Sequence, residues 1–82
     1  MVTPKVSRPP LVDDMLRFAL HWLPYGGGSA GDILVEFGIS ECEFFRRVLR
    51  VVRESEPPPA CSVATWRQLG LLCVARIGRE HD

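Results

Sequence analysis

The stretch SAGDILVEFGISECEFF, residues 29–45, constrains this chain more than any other. Ser29 stands three residues before Asp32, and Ser40 three before Glu43. In that spacing a serine hydroxyl and a following acid satisfy the free N–H groups at a helix start. Gly38 falls between the two serines, where left-handed backbone ends a helix with least strain. Ile39 follows as an apolar plug for the turn. Two short capped helices meeting at one glycine corner make a helix-turn-helix arrangement. The expected fold is therefore all-α, a small bundle of three to four helices containing a helix-turn-helix.

Periodicity extends this reading in both directions. Residues 11–23 place Leu11, Met15, Phe18 and Trp22 at helical spacing, with Asp13 and Asp14 in the first turn and Pro24 as the stop. The second corner helix is expected over 41–53. Beyond it, three consecutive prolines in 57–61 read as a stiff, extended spacer. Residues 62–82 follow as a C-terminal helix capped by Ser62. Its face of Val63, Trp66, Leu69, Gly70, Cys73 and Ile77 is expected to pack on the core or on a partner. A strand over 70–78 is the competing assignment, because LLCVARI is short and apolar. Residues 1–10, with three prolines and no periodicity, read as a flexible N-terminal arm. The division is thus an arm at 1–10, a core at 11–56, the spacer and the final helix.

Several function classes are excluded by what the chain lacks. At 82 residues it is one domain, and such a domain buries only about 60–65% of its unfolded surface. Formal net charge is zero, so attraction to a polyanion must come from a local patch. Cys42, Cys61 and Cys73 are odd in number and widely spaced, which suits reduced thiols in a cytoplasmic protein better than a disulfide framework. With only His21 and His81 beside them, no metal site and no cofactor are expected. No nucleophile stands beside a base, and adjacent Asp13 and Asp14 point apart on a helix. No catalytic residue is assigned. The glycine run at 26–28 lacks the lysine and hydroxyl of a phosphate loop and reads as a flexible connection. The longest apolar stretch, LGLLCVA, is too short for a membrane span.

Residues 41–53 carry the sharpest pattern. At about 100° per residue, Phe44, Phe45, Val48 and Val52 fall on one face, while Glu43, Arg46, Arg47, Arg50 and Arg53 fall opposite. Nine of the ten basic residues are arginine; a GC-rich genome produces that bias without selection, and arginine also suits phosphate and guanine recognition. If the second helix enters a major groove, residues near its start face base edges. Ser40, Glu41, Cys42, Glu43, Arg46 and Arg47 are then nearest the bases, with Arg50 and Arg53 nearer phosphates. The expected DNA-binding set is Ser40, Glu43, Arg46, Arg47, Arg50 and Arg53. Ion pairing within the helix explains some of these charges, but Arg46 and Arg50 repel at i,i+4 unless an anion lies outside.

Trp22, Tyr25 and Gly27, then Phe37, Gly38, Ile39 and Ser40, then Phe44, Phe45 and Val48 form one spaced pattern. From Trp22 to Leu49 the chain resembles a short actinobacterial helix-turn-helix family of uncharacterised function. The resemblance implies a DNA-binding-like fold. The function expected from the whole sequence is a small DNA-binding protein, a transcriptional regulator, with residues 40–53 as recognition helix and double-stranded DNA as partner. Since one copy offers few contacts, a homodimer or a larger regulator is expected. The alternative is a protein–protein interaction module that docks through its apolar C-terminal segment.

Overall fold

The structure, a computed structural model, describes residues 12–79. The expected arm at 1–10 lies outside them. Four α-helices follow in order: α1 (Val12–Trp22), α2 (Ala30–Phe37), α3 (Glu41–Glu54) and α4 (Val63–Arg79), with a 3₁₀ turn at Leu23–Tyr25 after α1. All regular structure among the described residues is helical, so the segment from Gly70 to Gly78 is helix and not strand. A 17-residue helix is possible there because one whole face has a partner to bury it.

The caps form as the serine spacing dictates. Ser29 Oγ accepts the Asp32 N–H at 3.0 Å, and Ser40 Oγ accepts the Glu43 N–H at 3.1 Å. Gly38 takes φ +73°, its N–H donating to the Leu34 carbonyl. Ser62 caps α4 by accepting the Thr65 N–H at 3.1 Å. Local chemistry alone thus sets the start of three of the four helices.

Packing centres on α3. Phe44, Phe45 and Val48 are buried with Met15 and Ala19 of α1, Ile33 of α2, and Trp66, Leu69 and Cys73 of α4. Phe18 meets Phe37 edge-on at 5.3 Å and Phe44 at 5.6 Å, which ties α1, α2 and α3 together through ring edges and faces. Val63 departs from expectation: it is more than half exposed, as is Leu34 of α2. The inward arc of α2 is taken by Ile33 and Phe37. Val63, in the first turn of α4, stands beyond the arc that Trp66, Leu69 and Cys73 define.

The proline segment does not run extended. The Cys61 N–H donates to the Pro58 carbonyl at 2.9 Å, and the chain reverses there. Consequently α4 runs back along α3. Trp66 Nε1 donates to the carbonyls of Val52 and Ser55 at the end of α3, while Arg76 reaches Glu41 at its beginning. Trp66 is therefore 6% exposed and belongs to the core. Of the two expected uses of this α4 face, core or partner, the structure shows packing on the core.

The glycine run is equally tied down. Gly26, Gly27 and Gly28 all adopt φ between +92° and +94°, a region side chains disfavour. A Cβ on Gly27 would lie 2.7 Å from Leu72 Cδ2 and 3.2 Å from Phe45 Cζ, whereas one on Gly26 would meet nothing within 4 Å. Gly26→Ala should therefore cost only backbone strain, about 1–2 kcal/mol. Gly27→Ala should cost about 1–3 kcal/mol beyond that, because the core must shift. Urea denaturation of both variants checks this; equal losses would contradict it.

Candidate nucleic-acid interface

The outward face of α3 divides lengthwise. Arg46, Arg50 and Arg53 stand in a row at i, i+4 and i+7, all exposed. Glu43, Arg47 and Glu54 lie along the other edge. Arg47 Nε donates to Glu43 Oε2 at 2.8 Å, an ion pair with both side chains about 40% exposed. That hydrogen bond holds the Glu43 carboxyl below its ordinary pKa, helped by the fields of Arg47, Arg46 and Arg50. Only two ion pairs occur among the described residues, and neither includes Arg46, Arg50 or Arg53. The row spans about 10 Å at 1.5 Å rise per residue, close to three base-pair steps. An open groove beside it is lined by Val12 of α1 and by Glu43, Arg46, Arg47, Arg50 and Val51 of α3.

Of the six expected contact residues, the structure brings Glu43, Arg46, Arg47 and Arg50 together around this groove, and Arg53 continues the exposed row. Ser40 is engaged as the cap of α3. The start of the helix is closed. Cys42, 9% exposed, packs inward, being one helical turn before Phe45 on the same face. Glu41 turns away from the arginine row and pairs with Arg76, the two side chains 14% and 8% exposed. Neither Glu41 nor Cys42 can present its side chain to a base edge as expected from its position near the helix start. Helix face outweighs helix position.

Arg76 is the residue that sequence reasoning missed. Its Nη1 donates to the carbonyls of Gly26 and Gly28, each at 2.7 Å, and its Nη2 donates to Glu41. The guanidinium lies over the Phe45 ring, 4.7 Å from its centroid. Arg76 Nε is buried with no hydrogen-bond partner. One side chain thereby joins α4, the glycine loop and the start of α3. A signal was present: Arg76 falls three residues after Cys73 and seven after Leu69, on the buried face of α4.

The glycine run is engaged through its N–H groups as well. The N–H groups of Gly26 and Gly27 donate to Leu23 and Trp22 carbonyls. The loop turns carbonyl oxygens, not N–H groups, toward the one charged side chain it meets.

Among the described residues no cluster of three or more His, Cys, Asp or Glu side chains is placed to hold a metal ion, and no helix is long and apolar enough to cross a membrane. Burial pushes the Cys73 thiol up to about 12, which keeps it protonated at neutral pH. Comparison of the chain with protein-family models, with curated proteins and with solved structures finds no match.

Proposed function

We propose that this protein binds double-stranded DNA through Arg46, Arg50 and Arg53 of α3, mainly at the phosphate backbone. The observation that carries the reading is the row itself. Three exposed guanidiniums at i, i+4 and i+7 repel one another, and no carboxylate among the described residues pairs with them. An external polyanion relieves that repulsion, and arginine forks suit phosphate oxygens. The closed helix start supports backbone contact over base reading, since Cys42 and Glu41 are withdrawn. Within this proposal the α2–Gly38–α3 corner serves as the helix-turn-helix of a small cytoplasmic transcriptional regulator, in keeping with the actinobacterial family it resembles. Three phosphate contacts per copy are few for tight binding, so the protein acts as a dimer or larger assembly.

The test is a fluorescence-anisotropy titration of random-sequence duplex at about 50 and 200 mM salt. Affinity should fall with rising salt, and replacing all three arginines with alanine should flatten the log–log slope by roughly 2–3. Arg47→Ala should change it less, because Arg47 is already engaged by Glu43. An affinity that ignores salt, or ignores the triple substitution, rejects the reading.

A further inference from the structure

Two helices carry outward faces that the bundle does not cover. On α2, Leu34 is 57% and Val35 85% exposed, with Asp32 and Glu36 exposed along the adjoining edge. That helix contains no basic residue. On α4, Leu71 is 66% and Val74 49% exposed, with Arg67 and Arg79 exposed beside them. That helix contains no acidic residue. Ala64, Ala75 and Gly78 share the outer arc around Leu71, so a second helix can come close there.

We infer that a second copy of this chain docks its α2 face on the outward face of α4. Each face exposes apolar side chains, and the charges it carries among or beside them are opposite in sign to those of the other. The same match cannot be made within one molecule, because both faces point away from the α3 that each helix packs against. Pairing α4 with α4, by contrast, would bring together two surfaces that carry only positive charge. An α2-on-α4 contact is heterologous: one copy keeps a free α4 face and the other a free α2 face, so assembly continues past two copies unless the contacts close on themselves. The eight-residue α2 is only about 12 Å long, which places the contact at the small, weak end of protein interfaces. The inference uses faces distinct from the arginine row of α3 and stands apart from DNA binding.

Sedimentation equilibrium of the full chain, without DNA, from about 10 µM to 1 mM tests it. The weight-average mass should rise with concentration and exceed that of a dimer or level off at a closed ring. Glu36→Arg alone and Arg67→Glu alone should each weaken association by about tenfold or more, since like charges then face each other. The double variant carries both reversals in every copy, restores opposite signs across the contact, and should recover association. Both positions are exposed, and circular dichroism of each variant checks that it is folded. A monomer throughout the range overturns the inference. So does association indifferent to Glu36→Arg, which would point to α4–α4 pairing, and so does a double variant no better than the singles.

Discussion

Arg76→Ala should lower the free energy of unfolding by about 3–5 kcal/mol, the usual cost of removing one partner from a buried ion pair. The loss comes less from the missing contact than from what stays behind. Glu41 remains largely buried with its charge unpaired, and the inner carbonyl of the glycine loop loses a donor. Domains of this size hold roughly 5 kcal/mol in total, so the variant should lie close to its unfolding midpoint in water at 25 °C. Arg76→Lys should fall between, because an ammonium cannot fork to two carbonyls and a carboxylate at once. Arg76→Met combined with Glu41→Leu should recover much of the loss, since no buried charge is then stranded. Guanidinium denaturation of the four proteins measures this series. An alanine variant within about 0.5 kcal/mol of wild type would show that Arg76 is not a structural pin, because that is the range of an ordinary surface substitution.

Phe45→Ala should cost about 3–5 kcal/mol, the range for emptying a buried aromatic site. Phe45 is wholly buried. Its ring meets Phe44 edge-on at 4.9 Å, supports the Arg76 guanidinium, and lies under the Cα of Gly27. Three elements converge on it, so the cavity cannot close by moving any one of them. Val52, half-buried further along α3, offers a comparison in which Val52→Ala should cost clearly less. A double-mutant cycle between Phe45 and Arg76 should give a coupling of about 0.5–2 kcal/mol, the range for a cation over an aromatic face. If Phe45→Ala unfolds no more easily than Val52→Ala, the core is not organised around this ring.

The two predictions involve one cluster, and only half of that cluster was legible beforehand. Phe45 belongs to a run whose helical period puts paired rings inward, and the structure buries both. Arg76 shares the buried face of α4, yet the sequence pattern does not single it out. An arginine within an apolar face is a weak sign by itself, because its meaning depends on which oxygens stand opposite. Here they come from residues 26, 28 and 41, far away in the chain. The glycine run differs from expectation for the same reason: it is held by Arg76 rather than flexible. Its backbone freedom was evident, but freedom does not specify whether a loop stays open or is captured by a side chain from another helix.

Short-range chemistry was decisive where hydrogen-bond partners lie within three or four residues. The serine caps, the Gly38 corner and the inward rings of α3 all follow from neighbours along the chain, and so does the outward arginine row. Tertiary structure alone decided that the proline segment turns back, that α4 covers α3, and that Glu41 leaves the reading face for Arg76. Those outcomes depend on burial, which belongs to whichever surfaces happen to meet. A helical wheel shows which residues share a side; it does not show what stands across from them.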